Sequence, residues 1–499
     1  MKKLGSTTDL TAAQRNINAR RDYCNAWYWA AFEGLLKGIE IRTRAGKTDA
    51  VKNNADLEIR NLDRFSAERK GMERAATHHQ KPILIDFNYD QGSKAVGYVM
   101  GLNSVTDYWD TAEHIYENPR REAEQAHSYM PDLAHSSMKP LRDYACRIDR
   151  GRALLDLYQN FVNGWESAGS NRQAKARSEL GSRPIPEHCL KRAPAGSPHV
   201  QIVRTQPEDK DKTIQELYFN ASDLATRAAG YLYVENQYFQ WEEWAKRLLR
   251  VRKQSMQQWN ASCAAAGLKL ESMPVMHVFI VMPVPEKTEM IPRTYDTLAR
   301  LGQQAHMDGQ VTLIEKENVR PAAVQIARNP GPSGHMKRRM PEVVQYANQI
   351  EKQDAIRLES EFGVKVCTAM LNACGSNGKS FEYREIYIHS KLLLIDDTFF
   401  TIGSANMNVR SMAVDSEINV ATVDPVTATD LRKQIWGQLS GNWGKCDGGN
   451  GSSKEIEKAF DHWEKLMEKN AKAKDKNMKA VSGFLLPLAD NRSSTTRLG

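Results

Sequence analysis

The second half of the chain alternates between two spacings of apolar residues. Runs with strand character cover His199–Val203, Tyr231–Tyr238, Met276–Met282, Val364–Met370 and Phe399–Ile402. Helical spacing covers Thr213–Ala229, Trp241–Gln257 and a stretch near Tyr295–Gln304. Strands alternating with helices predict a layered α/β domain with a mixed sheet. One further run, Ile386 to Ile395, is apolar at both ends with His389-Ser390-Lys391 between them, and it stops at Asp396-Asp397. Read as one strand, it puts His389 and Lys391 on the same face, while Leu392 and Leu394 anchor the opposite face.

The first half shows fewer elements. Tyr28–Lys37 reads as a helix and Gly38–Arg44 as a strand, and nothing upstream corresponds to the strands at His199 and Tyr231. Its opening strands are therefore expected to be missing, which implies a longer native product, a tolerated open edge or a covering chain, because a bare sheet edge invites unwanted pairing.

The polar insert of the motif strand occurs twice. His79, Lys81 and Asp86 repeat the spacing of His389, Lys391 and Asp396. By composition, two such sets arise by chance on the order of once in a thousand chains. Each copy is followed by an asparagine in a glycine context, Asn103 after Gly101 and Asn406 after Gly403-Ser404-Ala405. A histidine can act as nucleophile or proton donor near neutral pH, and a lysine beside it supplies a positive charge. An asparagine amide adds a neutral donor, so the set suits a phosphate. A lone histidine would be an ordinary surface or core residue, but duplication of the whole set argues for shared chemistry. Pro82 removes a ladder donor from the first copy, so that strand begins at an edge or carries a distortion. His78 falls on the wrong face relative to Lys81.

These segments resemble the paired HKD motifs of the phospholipase D superfamily. Val200-Gln201-Ile202-Val203-Arg204-Thr205, the run from Tyr233 to Phe239 with Glu235-Asn236-Gln237, and Thr401 to Met412 followed by Asp415-Ser416-Glu417 are similar to signatures of the eukaryotic-type enzymes. The likeness covers roughly residues 24 to 445, is weakest over 115–200 and 285–360, and among bacterial members is greatest to phospholipase D effectors of type VI secretion. It implies a bilobal fold of two pseudo-symmetric mixed-sheet halves with the active site at their interface. The expected divisions are 1–197 for the first half, 198–447 for the second, and 448–499 for a linker, a Lys-rich helix and a tail.

The resemblance also assigns roles. His79 attacks phosphorus and forms a phosphohistidine, and His389 protonates the departing alcohol and then activates water. Lys81, Lys391, Asn103, Asn406 and Ser404 bind the substrate phosphate, and no metal or cofactor is called for. Each histidine needs an orienting carboxylate. Asp86 and Asp396, seven residues from their histidines, lie roughly 23 Å away along a strand and hold the strand end instead. Glu417 and Asp110 match the family's orienting residues, although an acidic residue after a strand often only caps a helix. The implied reaction is hydrolysis of the distal phosphodiester of glycerophospholipids to phosphatidic acid and free headgroup. The alternatives are a nuclease of the same superfamily and a catalytically idle membrane-binding module.

A formal net charge of +8 implies attraction to anionic surfaces, and charge alone does not choose between membranes and nucleic acids. The lipid-type signatures favour a phospholipid surface, with no nucleic acid expected as a partner. No run of eighteen apolar residues could span a bilayer, and no secretory signal follows Met1. The expectation is synthesis in the cytoplasm and export by a dedicated machine, with a secretion component and an immunity protein as partners. Seven cysteines do not form a disulfide scaffold, and Cys367 with Cys374 is the one pairing considered, against free thiols. Residues 167–198 and 318–341, the latter with Arg320, Arg328, Lys337, Arg338 and Arg339, read as basic surface loops. Gly448 to Ser453 reads as a flexible linker into an amphipathic helix over Glu455–Lys479, whose Ile456, Phe460, Trp463 and Met467 pack on the body. The tail Phe484 to Leu488 is a candidate for insertion at a bilayer surface.

Overall fold

The computed structural model describes residues 12–42, 44, 76–103, 108–118, 121, 139–168, 180, 183–191, 194–228, 230–269, 273–326 and 340–497. Four short strands come from the first half: β1 (Pro82–Ile85), β2 (Val96–Met100), β3 (Leu141–Arg142) and β4 (Ala145–Ile148). The second half opens with β5 (His199–Gln206), β6 (Asp211–Lys212), β7 (Tyr231–Asn236), β8 (Phe239–Gln240) and β9 (Met276–Val281). It continues with β10 (Val364–Ser376), β11 (Phe381–Glu385), β12 (Tyr387–Ile388), β13 (Lys391–Ile395) and β14 (Phe399–Gly403). The last three are β15 (Met407–Asn408), β16 (Glu417–Val423) and β17 (Leu485–Pro487).

A mixed ten-stranded sheet runs β11-β10-β9-β7-β13-β14-β16-β5-β6, with β17 on β10. Its central strands are apolar on both faces, as strands covered on two sides must be. Leu232, Val278 and Leu393 face one core with Trp244 and Leu298 from the helices Glu242–Ala265 and Ile291–Arg300. Tyr233, Phe279 and Leu392 face the other, closed by Trp436 and Trp463 from the helices Pro425–Ser440 and Ser453–Asp475. Asp424 caps the first of these by accepting from Val426 and Thr427, with Pro425 where no donor is needed.

The first half contributes a three-stranded antiparallel sheet, β1-β2-β4. It repeats the pairing of β13-β14-β16 in miniature, and Val99, Leu154 and Leu157 join the second core. β1 lies at its sheet's edge, where Pro82 is tolerated. Among the described residues no strand precedes Pro82. The helix spans Ala12–Phe32, and residues 39–42 form no strand. Arg42 instead stacks on Trp165, 4.3 Å from the ring, and donates to the Trp165 carbonyl at 2.7 Å.

Several sequence expectations are corrected. The motif strand is broken at His389-Ser390, because β12 pairs with β3 of the first half while β13 enters the large sheet. Leu393 and Ile395 on the Lys391 side are buried too. Cys367 and Cys374 are free and lie on the same strand, β10, seven residues or roughly 23 Å apart, beyond the reach of a disulfide. The segment from Gly448 to Gly451 is pinned, with Arg432 donating to Asp447 and Gly449 carbonyls and pairing with Asp397. The tail does not present apolar residues to a bilayer: β17 pairs with β10, and Leu485, Leu486 and Leu488 are buried. Of the basic stretch 318–341, residues 318–326 belong to the helix Asp308–Ile326, and Arg328, Lys337, Arg338 and Arg339 lie outside the described residues. No described helix is long and apolar enough to cross a membrane.

Candidate active site

Each motif histidine is seated by a strand from the opposite half. The His79 backbone N–H donates to the Ser416 carbonyl at 2.8 Å, and its Nδ1 lies 3.0 and 3.1 Å from the Glu417 carboxylate. The His389 N–H donates to the Arg142 carbonyl at 2.8 Å, and its Nδ1 lies 2.7 Å from Asp143 Oδ2. In both copies the backbone partner is the residue just before the carboxylate. A carboxylate accepts, so in the neutral ring Nδ1 carries the proton and Nε2 is left with a lone pair for chemistry.

Each lysine folds onto its own histidine. Lys81 Nζ donates to the His79 carbonyl at 2.7 Å, and Lys391 Nζ to the His389 carbonyl and, at 2.8 Å, to Gln237 Oε1. The two sets form a single electrostatic cluster. Burial pushes Lys391 down to about 7, with Asp143 opposing and Lys81 assisting. Burial likewise pushes Lys81 down to about 8 against Glu417, Asp143 and Asp415. His389 falls well below its ordinary value through burial and the charges of Lys391, Lys81 and His79. Burial raises Asp143 to about 7 despite Lys391. Glu417 differs: burial opposes its charge, but His79, Lys81 and Ser404 outweigh burial and hold it below the usual carboxylate range. The substrate-free centre therefore holds less positive charge than two lysines imply, and an arriving anion would restore it.

Asp110, expected to orient the second histidine, does not touch it. Its carboxylate accepts from His114 Nδ1 at 2.9 Å, Leu141 N at 2.7 Å and Arg121 Nη1 at 3.0 Å, tying its segment to β3. Asp143 takes the place instead. An insertion separates Asn103 from Asp143, whereas only ten residues lie between Asn406 and Glu417, so the spacing of the second copy does not locate the carboxylate of the first. The signal that finds Asp143 is its place before an apolar strand: it precedes β4 as Glu417 opens β16. A Cβ on Gly101 would lie 2.5 Å from Asp143 Oδ1, so the close approach of β2 requires glycine there. Asp110→Asn is expected to destabilise the fold by about 1–3 kcal/mol, read as a lower Tm. Its effect on kcat should be far smaller than that of Asp143→Asn.

Ser404 Oγ donates to Glu417, as does Ser411 Oγ at 2.6 Å. Asn406 is buried, with Nδ2 3.4 Å from Gln237 Oε1. Asn103 lies half-buried beyond the end of β2, with no hydrogen bond to the cluster. His78 turns to Ser416 Oγ at 2.9 Å. Asp396 holds a strand end, accepting from Gly230 N at 2.7 Å and Tyr231 N at 3.0 Å. Asp86 and Asp396 both adopt left-handed backbone, with φ of 53° and 51°, where each motif strand stops.

Sequence reasoning missed the support beneath His389. Glu235, fully buried, accepts from Ser390 Oγ at 2.6 Å, Arg142 Nε at 2.8 Å, Tyr144 OH at 2.8 Å and Tyr233 OH at 2.6 Å. It thus grips the neighbours of both His389 and Asp143. Burial works against the charge on Arg142, and Glu235 together with Tyr144 and Tyr233 more than restores it. Asn236 Oδ1 accepts from Met407 N at 3.1 Å. Among the described residues no group of side chains could hold a metal ion.

A family model described as "Cardiolipin synthase, PLD-like domain" matches residues 294–439. The chain is 25% identical over 411 residues to phospholipase D alpha 2 of Arabidopsis thaliana, covering 74% of this chain and 48% of that protein. It is 24% identical over 417 residues to phospholipase D alpha 1 of Oryza sativa subsp. japonica, with 74% and 48% covered. The chain thus spans about half the length of these relatives. Among solved structures, phosphatidylserine synthase of Haemophilus influenzae gives a TM-score of 0.30 at 12% identity over 72% of this chain and 61% of that one.

Proposed function

The chain is a member of the phospholipase D superfamily, and from that premise we propose that it hydrolyses the distal phosphodiester of glycerophospholipids, releasing phosphatidic acid and the free headgroup. The observation that carries this reading is the crossed pairing, His79 with Glu417 and His389 with Asp143, around two lysines. His79 Nε2 attacks phosphorus, forming the P–N bond as the P–O bond to the headgroup breaks. His389, protonated in the complex, gives its proton to that oxygen. It then takes a proton from water, whose oxygen displaces His79 and regenerates the ring. Two displacements replace one difficult attack on a phosphodiester anion. Lys81, Lys391 and Asn406 stabilise the non-bridging oxygens.

The asymmetry of the carboxylates supports His79 as nucleophile. Glu417 stays ionised and can balance the cation formed on His79 by attack, whereas Asp143 is pushed upward by burial. A lipid substrate is favoured by the name phospholipase D carried by both plant relatives. An alcohol in place of water would give transphosphatidylation. The resemblance to type VI effectors adds a setting, export by a dedicated machine to a target membrane with an immunity partner in the producing cell.

Headgroup release from a panel of phospholipid vesicles tests the reading. Wild type should turn over at least one lipid, and His79→Ala and His389→Ala should each lose about 10⁴-fold or more. Degradation of DNA without headgroup release would identify a nuclease. Toxicity equal in wild type and both variants, with no headgroup release, would identify an idle binding module.

A further inference from the structure

A carboxylate outside the crossed pairs stands at the end of a chain of hydrogen bonds that begins at Lys391. Lys391 Nζ donates to Gln237 Oε1 at 2.8 Å, Gln237 Nε2 donates to Tyr387 OH at 2.6 Å, and Tyr387 donates in turn to Glu286 Oε1. The other oxygen of Glu286 accepts from Tyr238 OH at 2.9 Å. Glu286 is exposed, while Tyr387 and Gln237 are buried, so the chain runs from the phosphate-binding centre to the surface. Glu286 is close enough to contribute to the field at Lys391.

The loop carrying this carboxylate is braced from two sides. Val284 N donates to Glu385 Oε1 at 3.2 Å, and Arg492 of the C-terminal tail donates to the Pro285 carbonyl at 2.6 Å. Lys139, 6.0 Å from the Tyr387 ring, is itself paired with Glu385 at 2.6 Å, so its charge is matched. Two tyrosine hydroxyls occupy two of the roughly four acceptor positions of the Glu286 carboxylate, leaving the others for a ligand.

The rings nearest His389 mark the side on which this carboxylate acts. Tyr108 meets His389 edge-on at 4.7 Å, and the Tyr387 ring lies 6.3 Å from it. Under the proposed function, His389 protonates the departing alcohol, so that alcohol leaves past Tyr387 towards Glu286. We propose that Glu286 is a specificity-determining residue, receiving the positively charged amino end of the headgroup while Tyr387 and Tyr108 flank its carbon chain. Arg492 is a positioning residue for the same loop. This inference rests on the phospholipase reading of the site.

The test is competition within one vesicle. Phosphatidylethanolamine and phosphatidylglycerol are mixed in equal amounts, and ethanolamine and glycerol release are measured together on the full chain. Wild type should release ethanolamine preferentially. Glu286→Gln should lower the ethanolamine-to-glycerol ratio about fivefold or more, and Arg492→Gln should lower it in the same direction by less. Because both products come from one sample, any loss of folded protein cancels in the ratio. A ratio unchanged in Glu286→Gln overturns the inference while leaving the phospholipase reading intact. Release of neither headgroup by wild type also overturns the inference, and the phospholipase reading falls with it only when no other lipid of the panel is turned over.

Discussion

Asp143→Asn is expected to lower kcat by about 10³–10⁴-fold with little change in overall fold, and Glu417→Gln to do the same from the opposite half. Asparagine keeps the shape of Asp143 and an oxygen able to accept from His389 Nδ1. It lacks the charge that stabilises the imidazolium, and its amide can turn a donor towards Nδ1 and force the wrong tautomer. His389 is buried, with two lysines and His79 already opposing its protonation, so loss of the anion in contact with Nδ1 leaves the imidazolium opposed on every other count. Steady-state kinetics on the preferred lipid, with circular dichroism as the control for folding, measures this. A loss below tenfold for Asp143→Asn would show that the 2.7 Å contact does not matter to the reaction.

The second large effect is on anion affinity. In the free protein Lys391 is pushed down to about 7 and Lys81 to about 8, so both lose protons just above neutrality. A bound anion favours the protonated forms, and binding above these values must therefore take up protons. Affinity should be flat well below pH 7 and fall as pH rises through 7 and then 8. Each lysine contributes up to tenfold per pH unit above its own value, giving on the order of a thousandfold between pH 6 and pH 9. Deprotonation of Asp143, at about 7, acts in the same direction. Sulfate, a dianion throughout this range, is the suitable competitive inhibitor. In Lys391→Met the earlier break should shrink to the part that Asp143 contributes, and the later one persist.

What the sequence made legible was the chemistry that repeats locally. Spacing within one strand is a property of the backbone, so His79 with Lys81 and His389 with Lys391 could be paired on paper, and the alternation of strands and helices after His199 announced the large sheet. Glu417 was reachable because few residues separate it from Asn406. Asp143 was not, because the distance that brings it to His389 passes through an insertion and crosses between halves. Glu235 was visible only as part of a signature, since its role depends on four donors from distant strands. The break at His389 is hidden for a related reason: an apolar run does not reveal that its two ends pair with different sheets. The place of the tail from Phe484 is not legible in the sequence, because a short apolar segment looks the same whether it meets lipid or a sheet edge.

A structure of the protein with orthovanadate bound tests the central claim most directly. The account predicts one vanadium centre between the halves, approached from opposite sides by Nε2 of His79 and Nε2 of His389, with Lys81 and Lys391 on the oxygens between them. Vanadate held by one histidine alone, or bound elsewhere with both rings turned away, would contradict it.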